Sequence, residues 1–435
     1  MPTRSDAQKP AAGPRFVVVG LGGYALVHIE AVRWLASQNV ATLSGVVALD
    51  VDRKARPELV STLKKERVVL YESLDQFLDS GHPADVLTVP VGIAAHVPMS
   101  VSALRAGLDV YCEKPVAATV QDVDRLVAVQ EQTGRKVAVG YQHLSSNSIQ
   151  QIKARILDGR LGPVRRATLL CGWPRSRQYY TRNEWTGKMR IDGHWILDSP
   201  ANNALAHYVM NVLYLCGAGT HPTAVPKNVR AGLYRANPIE GPDTVEMEME
   251  TDTGARVHCC LTHASATAFG PSIRLECERG RVYWETDNGK AIIRYVRGGT
   301  EEFDNQTHEH WRFDGFKDLV QAIRDNRPPL CTPALARSQT LAINAMHEAC
   351  PVVRQIPAEF TQVVEDWEMF PPNTRGEFFR VRSLDEYLRV ALEEKATLAD
   401  IGVPWAKGQA YEWFSVREYR HFPASEATGE AQGGT

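Results

Sequence analysis

The chain has 435 residues, with 49 lysines and arginines against 51 aspartates and glutamates, so its formal net charge is −2. This length predicts two or three domains, and the balanced charge excludes the basic surface typical of nucleic-acid-binding proteins. No stretch reaches the roughly 18 apolar residues of a membrane span, and the N-terminal segment contains no apolar leader. The eight cysteines are scattered without zinc-ligand spacing. We therefore expect a cytoplasmic protein with no metal site and no membrane partner.

The first predicted element is a buried strand followed by a glycine-rich turn, in the sequence FVVVGLGGYA at residues 16–25. Four consecutive apolar residues are typical of a strand in a parallel sheet. The turn matches the pattern G-x-G-x-x-G/A, in which glycines expose backbone N–H groups to a diphosphate at a helix N-terminus. An apolar-periodic helix follows, so the turn predicts a dinucleotide site. The predicted cofactor contacts here are Gly20, Gly22, Gly23, Tyr24 and Ala25.

The second predicted strand spans residues 43–49 and ends at Asp50. A carboxylate at this position accepts hydrogen bonds from the ribose hydroxyls and repels a 2′-phosphate, which favours NAD over NADP. Arg53, which we also assign to the cofactor site, lies close enough to weaken this preference, so NADP stays an alternative cofactor. A solvated loop acid is the alternative interpretation of Asp50.

Two further strands bring candidate residues to the same edge of the predicted parallel sheet. The fourth strand ends at Pro90, and the loop after it leads to His96. The fifth strand ends directly before Glu113-Lys114-Pro115. Because ligands bind at the carboxyl edge of open α/β sheets, we assign Pro90, His96, Glu113 and Lys114 to the cofactor site. A surface ion pair is the alternative interpretation of Glu113 and Lys114.

These motifs together resemble the Gfo/Idh/MocA family of NAD(P)-dependent sugar and polyol oxidoreductases. Four features within residues 15–350 carry the resemblance: the glycine turn, Asp50, Pro90 with His96, and Glu113-Lys114-Pro115. It implies an α/β N-terminal Rossmann domain with a parallel, doubly wound sheet. It also implies an α+β C-terminal domain with an open, mostly antiparallel sheet. In the family the lysine of this tripeptide contacts the nicotinamide side and the reacting hydroxyl, so the resemblance assigns that role to Lys114.

Beyond residue 143 the predicted strands are separated by turns, as in an antiparallel meander. Apolar and acidic residues alternate along Val245–Glu250, which predicts a half-exposed strand with an acidic face. One face of such a sheet packs on helices. The other face is free for contact with another copy, so we predict a homo-oligomer, a dimer or tetramer, formed through this sheet. The predicted organisation is a flexible N-terminus (1–14), a Rossmann domain (15–142), a substrate-binding domain (143–350), and an aromatic-rich extension with a disordered tail (351–435).

A helix between these strands carries a second catalytic candidate, His207. Asp198-Ser199-Pro200 predicts the start of this helix, and Gly217 predicts its end. Helical spacing places His207 opposite the apolar stripe, in a row with two amides. The resemblance implies that His207 works with Lys114 as an acid/base pair. The aspartate expected four residues earlier is Asn203, and the acid expected three residues later is Met210. Asp198 is a candidate to compensate, and a core or capping histidine is the alternative interpretation of His207.

Aromatic residues alternate with arginines directly before this helix. Rings stack on the C–H faces of sugars, and guanidinium groups bind hydroxyls or carboxylates. The predicted substrate-binding residues are Trp173, Arg175, Tyr180, Arg182 and Trp185, together with Asn203 and His207. Aromatic residues and arginine also mark protein interfaces, so a dimer contact is an equal alternative for this segment.

Three functional hypotheses follow from this sequence. The first is a dehydrogenase that transfers hydride between a sugar, polyol or sugar-derivative carbon and nicotinamide, with Lys114 and His207 as acid/base groups. The second is an NAD-retaining lyase or glycosidase that acts through transient oxidation of a sugar carbon. The third is a dinucleotide-binding sensor without turnover, which the presence of Lys114 and His207 disfavours.

Overall fold

The computed structural model describes residues 13–219, 222–285, 290–365 and 376–427. Two features predicted from the sequence lie wholly or largely outside these residues: the flexible N-terminus and the disordered tail. Trp367 of the aromatic-rich extension also lies outside them. No helix in the described ranges combines the length and the apolar character that a bilayer span requires.

Twenty strands are present in the described residues, most of them in two large sheets. In chain order they are β1 (Arg15–Val19), β2 (Thr42–Val47), β3 (Val69–Tyr71), β4 (Val86–Val89), β5 (Asp109–Cys112), β6 (Val137–Val139), β7 (Val164–Gly172), β8 (Arg190–Ile191), β9 (His194–Trp195), β10 (Pro226–Arg235), β11 (Thr244–Thr251), β12 (Arg256–Thr262), β13 (Phe269–Cys277), β14 (Gly280–Glu285), β15 (Lys290–Tyr295), β16 (Thr300–Asp304), β17 (Arg354–Gln355), β18 (Thr361–Glu365), β19 (Glu377–Val381) and β20 (Phe414–Ser415).

Thirteen α-helices connect and cover these strands in the same described ranges. They are α1 (Ala25–Ser37), α2 (Asp50–Ala55), α3 (Pro57–Lys65), α4 (Leu74–Asp79), α5 (Ile93–Arg105), α6 (Val120–Thr133), α7 (Asn147–Leu157), α8 (Arg177–Thr181), α9 (Ala206–Cys216), α10 (Asp314–Arg324), α11 (Pro333–Ala349), α12 (Leu384–Glu394) and α13 (Ala424–Ala427).

The chain divides into two compact units. The first unit comprises Met1–Glu113, Leu126–Gly140 and Phe313–Thr332, and the second comprises Lys114–Arg125, Tyr141–Arg312 and Pro333–Thr435. Chain segments that are far apart in sequence thus alternate between the units. The four-part domain organisation given above stays a prediction.

The first unit is a parallel six-stranded sheet in the order β3-β2-β1-β4-β5-β6. The strand order reverses direction between β1 and β4, as in a doubly wound Rossmann fold, so the predicted fold class is confirmed here. Phe16, Val17 and Val18 of β1 are fully buried, because side chains cover both faces of a central parallel strand. Helix α4 is capped by Ser73, whose hydroxyl accepts a hydrogen bond from the Gln76 N–H at 3.1 Å.

The second unit contains a ten-stranded, mostly antiparallel sheet with a main path β16-β15-β14-β13-β7-β12-β11-β10-β17. It departs from a simple meander at its centre, where β7 lies between β12 and β13 and runs parallel to β12. β7 comes from an earlier part of the chain and is inserted between two later strands. Helix α9 packs on β7, and helix α11 packs on β10.

The sheet face that was expected to be free is covered in part by the C-terminal extension. Leu384 and Leu388 of α12 are fully buried in one cluster with Tyr234 of β10 and Cys260 of β12. The neighbouring Cys259 side chain lies on the other face, where α9 packs. Both faces of β12 are therefore covered by segments of the same chain. The homo-oligomer stays a prediction.

Glu246 corrects the expected acidic face of β11, because this carboxylate is fully buried rather than half exposed. It accepts hydrogen bonds from the Leu398 N–H at 3.0 and 3.1 Å, from His258 Nε2 at 3.1 Å and from the Tyr411 hydroxyl. Two of these donors belong to the extension, which the alternation along β11 alone does not reveal. The side chains of Glu246, His258 and Cys260 offer three ligand atoms within 4.8 Å of one another. The hydrogen bonds to Glu246 account for this grouping without a metal ion.

Candidate active site

The glycine turn of the first unit has the backbone geometry of an anion site. Gly20 and Gly23 have φ values of +101° and +53°, which L side chains rarely adopt. A Cβ atom on Gly20 would lie 3.1 Å from the Cβ atom of Ala25, at the first residue of α1. This helix has no side-chain cap and no acidic residue in its first turn. Its N-terminal N–H groups therefore suit a diphosphate, and the turn fits a dinucleotide.

Asp50 lies three residues beyond the end of β2 and is the first residue of α2, so the predicted strand is two residues too long. Its exposed carboxylate lies 2.6 Å from Lys54 Nζ and 3.7 Å from an Arg53 guanidinium nitrogen. The same guanidinium lies 2.8 Å from Glu72. Asp52, which sequence reasoning missed, has a carboxylate oxygen 3.9 Å from where a Cβ atom on Gly22 would lie. Two acids thus follow β2.

Pro90 and His96 follow β4, as predicted, and both are buried. The imidazole Nε2 of His96 lies 3.1 Å from the backbone oxygen of Val91. This contact joins the first turns of α5 to the loop that precedes the helix. His96 therefore shapes the loop at the carboxyl end of β4, and its proposed contact with the cofactor stays a prediction.

Glu113 follows β5, and its side chain points into the first unit. One carboxylate oxygen lies 3.1 Å from Nε2 of the buried His28, on α1. A Cβ atom on Gly140 would lie 2.5 Å from the same Glu113 side chain, so only glycine leaves this space at the end of β6. Sequence reasoning missed His28. Its signal is a histidine within the apolar row of α1, where a polar side chain needs a buried partner.

Lys114 and Asn203 meet in the second unit, although 89 residues separate them in the sequence. The Lys114 ammonium donates a hydrogen bond to the backbone oxygen of Asn203 at 3.0 Å. The Asn203 side-chain amide donates to Asp198 at 2.9 Å, and Asp198 also accepts from the Gly187 N–H at 2.6 Å. Burial raises the pKa of Asp198 to about 6. Asp198 therefore orients the residue that holds the lysine.

The helix of His207 begins later than the sequence predicts. Asp198, Ser199 and Pro200 do not start α9, which begins at Ala206. The carboxylate of Asp198 is already bound to Gly187 and Asn203, and residues 201–205 form turns before the helix. Every residue of α9 is buried, so the predicted polar face is not exposed to solvent. Both long faces of the helix are covered by the second unit.

His207 and His143 form a pair of buried imidazoles beside Lys114. Their ring centroids lie 5.1 Å apart. Burial, together with the positive charges of Lys114 and Arg312, holds the pKa of His207 well below its usual value. The same causes lower the pKa of His143 to about 3. Both rings are therefore neutral near pH 7, and protonation of His207 is disfavoured.

The predicted substrate-binding segment also contributes side chains near Lys114 and Asn203. The guanidinium of Arg182 lies 3.7 Å from the ring centroid of Tyr179, and that of Arg175 lies 4.9 Å from it. The Tyr179 hydroxyl lies 3.5 Å from the Asn203 side-chain nitrogen. Tyr179 is not among the site residues predicted from the sequence. Its position two residues after a hydroxyl-capped helix start was the available signal.

Three other predicted substrate residues have mainly structural surroundings. The Trp173 indole N–H donates to Gly270 at 3.3 Å, and its ring packs edge-on against Tyr208. Tyr180 is buried, and its hydroxyl has no hydrogen-bond partner among the described residues. Trp185 is half-buried, and its backbone N–H donates to Asn183. The structure thus brings together Lys114, Asn203, His207, Arg175 and Arg182. The catalytic and substrate-binding roles of all the predicted residues stay predictions.

Comparisons with known proteins agree with the fold and the motifs. The model of the GFO/IDH/MocA oxidoreductase family with an NAD-binding Rossmann fold matches residues 14–141, and the GFO/IDH/MocA C-terminal domain matches residues 149–283. Inositol 2-dehydrogenase from Salmonella typhimurium is 26% identical over 145 residues, which are 33% of this chain and 42% of that protein. The chain thus spans less than half the length of this curated relative.

A second relative and a solved structure extend the comparison. A dTDP-3,4-didehydro-2,6-dideoxy-α-D-glucose 3-reductase from Streptomyces violaceoruber is 23% identical, over 66% of this chain and 80% of that protein. The WlbA dehydrogenase from Bordetella pertussis, solved with NADH and UDP-GlcNAcA, has a TM-score of 0.63 at 22% identity, covering 78% of this chain and 97% of that one. This structure has the same fold. The family models match both the Rossmann region and the C-terminal region of this chain. The chain therefore belongs to the GFO/IDH/MocA oxidoreductase family and carries the NAD-binding domain of that family.

Proposed function

We propose that the protein is an NAD-dependent oxidoreductase that transfers hydride between nicotinamide and a hydroxyl-bearing carbon of a sugar, polyol or sugar derivative. The observation that carries this proposal is the hydrogen bond from Lys114 to Asn203, four residues before the buried His207, on whose pKa the lysine charge acts. The NAD-binding domain of the family supports the cofactor. The inositol dehydrogenase among the relatives supports a sugar or polyol substrate.

The first unit supplies the residues that would hold the cofactor. The N–H groups at the glycine turn and at the start of α1 would bind the diphosphate, and Asp50 would bind the adenosine ribose. When bound, NAD supplies the hydride acceptor. The pairing of Asp50 with Lys54 and Arg53 reduces the repulsion of a 2′-phosphate, so NADP stays a weaker alternative.

The second unit supplies the acid/base groups. The ammonium of Lys114, held by the Asn203 backbone oxygen, would donate a hydrogen bond to the substrate oxygen. The neutral imidazole of His207 would accept the hydroxyl proton as the carbon loses its hydride and the C–O bond becomes a carbonyl. Nδ1 of His207 is buried without a hydrogen-bond partner in the described part of the chain. His207 is therefore a weak base that returns its proton readily.

The weak basicity of His207 favours a second candidate function. The Asn203 amide is bonded to Asp198, so the described contacts give no carboxylate to stabilise a protonated His207. A base that returns its proton suits an NAD-retaining lyase or glycosidase. In such a reaction, transient oxidation acidifies the neighbouring C–H bond, a leaving group departs, and the hydride then returns to the substrate.

The test is turnover of a substrate panel by the full chain and by Lys114→Ala. The panel contains sugars, inositols, sugar acids and glycosides, each assayed with NAD for NADH absorbance and for product mass. We expect Lys114→Ala to lower kcat by roughly 10²- to 10⁴-fold, and an unchanged NAD affinity would assign the lysine to catalysis rather than to cofactor binding. Lys290→Ala is the matched control, because Lys290 is an exposed lysine that pairs with Glu302 at 3.5 Å.

The outcomes separate the candidate functions. NADH formation lost in Lys114→Ala and kept in Lys290→Ala supports the dehydrogenase. A changed product mass with no net NADH supports the NAD-retaining reaction. Unchanged turnover in Lys114→Ala would contradict both. Binding of NAD with no product from any substrate would favour a non-catalytic sensor.

A further inference from the structure

The guanidinium groups of Arg182 and Arg175 lie over the ring of Tyr179. A single residue, Asn203, lies between this tyrosine and Lys114. The guanidinium of Arg182 is 3.7 Å from the ring centroid, and that of Arg175 is 4.9 Å from it. The Tyr179 hydroxyl lies 3.5 Å from the side chain of Asn203, whose backbone oxygen accepts from Lys114. Asn203 therefore links the arginine pair to the proposed catalytic lysine.

Arg182 differs from the other exposed cations of its segment in its hydrogen bonding. Arg177 lies 3.0 Å from Glu377, and Lys188 lies 2.7 Å from Glu240. Arg182 makes no hydrogen bond or ion pair with any residue that the structure describes. Stacking on Tyr179 holds the guanidinium plane and leaves its N–H edges for another acceptor.

Positive charge predominates around this group. Lys114 and Arg312 act on His207, and Arg175 and Arg182 act on the buried His263, whose pKa burial already lowers. The carboxyl of Asp198, on which the charges of Arg182 and Lys114 act, is buried and already accepts from Gly187 and Asn203. A neutral sugar would offer the N–H edges of Arg182 no counter-charge, whereas an anionic sugar would supply one.

We propose that the substrate is an anionic sugar, whose carboxylate or phosphate is bound by the guanidinium of Arg182 as it stacks on Tyr179. This inference rests on the proposed function, because it assigns the substrate class to the same site. A guanidinium presents parallel N–H groups that match two oxygens of either anion. Arg182 is a binding residue, and Tyr179 positions it.

The experiment measures binding without turnover, on the full chain saturated with NADH so that no alcohol is oxidised. Calorimetric titrations compare neutral sugars with their own acids and phosphates: D-glucose, D-glucuronate and D-glucose 6-phosphate, the galactose counterparts, and inositol with its monophosphate. We expect one anionic member to bind roughly 10- to 100-fold more tightly than its neutral parent. Arg182→Gln should remove that difference.

Arg294→Gln is the matched control, because Arg294 is an exposed arginine that lies 5.4 Å from the ring centroid of Tyr283 on the sheet. It should keep the preference for the anion. A preference for uronates identifies the bound group as a carboxylate, and a preference for sugar phosphates identifies it as a phosphate. Equal binding of neutral and anionic members, or a preference that survives Arg182→Gln, would overturn the proposal.

Turnover with NAD on the same panel separates this inference from the proposed function. Oxidation of neutral sugars with no preference for anions would refute the inference and leave the dehydrogenase intact. Anion binding that depends on Arg182, with no NADH and no product from any member, would refute the proposed function and leave the binding site intact.

Discussion

Asn203 shows how one residue serves two neighbours through different atoms. Its backbone oxygen accepts from Lys114, while its side-chain amide donates to Asp198. The resemblance implies an aspartate at position 203, where the chain has an amide. The negative charge lies instead on Asp198, one hydrogen bond further from the lysine. An amide at 203 therefore allows a buried carboxylate at 198, since two adjacent buried carboxylates would repel each other.

Asp198 should make the stability of the protein fall as the pH rises through the weakly acidic range. Burial raises its pKa from 3.8 to about 6, so the folded state binds its proton more tightly than the unfolded chain does. The resulting stabilisation is complete at low pH and is lost as the pH rises from about 3.8 to about 6. We expect the free energy of unfolding of the native chain, relative to Asp198→Asn, to fall by about 3 kcal/mol over this range. Urea unfolding at several pH values measures this.

Asp85 provides a control of opposite sign. Burial alone would raise the pKa of Asp85, but hydrogen bonds from Arg15 outweigh burial and lower this pKa. Its stabilisation is present above the unfolded pKa and is lost as the pH falls, so Asp85→Asn should reverse the direction of the difference. A difference in the free energy of unfolding between the native chain and Asp198→Asn that stays constant with pH would contradict the prediction for Asp198.

The C-terminal extension is held to the sheet by a buried polar network as well as by apolar packing. The Tyr411 hydroxyl bonds the carboxylate of Glu246 and lies 2.9 Å from the Tyr234 hydroxyl. The backbone N–H of Leu398 donates to the same carboxylate. A buried carboxylate needs such donors, and in this protein the extension provides them.

Tyr411→Phe should destabilise the protein by about 1 to 3 kcal/mol, because it leaves a buried carboxylate with one donor fewer. Hydrogen exchange should speed up first at the Leu398 amide and along α12. Tyr180→Phe is the matched control: its buried hydroxyl has no partner among the described residues, so its removal should be neutral or stabilising. Equal effects of the two substitutions on the free energy of unfolding would contradict this account of the extension.

At the scale of the whole molecule, the proposed work is divided between two units with separate cores. The parallel sheet presents the glycine turn and Asp50, and the second unit presents Lys114, His207 and the arginine pair. The tripeptide Glu113-Lys114-Pro115 crosses the limit between the units: the Glu113 side chain contacts His28 in the first unit, and Lys114 contacts Asn203 in the second. One peptide bond thus joins two different packing environments.

NAD should stabilise the whole molecule through the first unit. A ligand at 100 times its dissociation constant adds about 2.7 kcal/mol to the free energy of unfolding, if it binds only the folded state. We expect NAD to raise the melting temperature more than NADP at equal concentration, with the slowest hydrogen exchange around Gly20–Ala25. Asp50→Ala should narrow the difference between the melting temperatures measured with NAD and with NADP. NADP protection equal to or greater than that of NAD in the native chain would contradict the role of Asp50.

Local patterns predicted the first unit well and the second unit less well. The strands of the parallel sheet are continuous apolar runs, and the glycine turn is a contiguous motif, so neighbouring residues suffice to identify them. The start of α9 was misplaced because Asp198 looks like a helix cap but binds the Gly187 N–H. Glu246 was misplaced because alternation along β11 does not reveal that the extension covers it.

By itself, the sequence determined the fold class and the dinucleotide turn, because these depend on residues that are close together in the chain. Only the tertiary structure decided that Lys114 meets Asn203 across 89 residues and that Tyr411 meets Glu246 across 165. Those contacts depend on which distant segments share a buried space. The free energy of burying polar groups, which must find partners when they leave water, selects them.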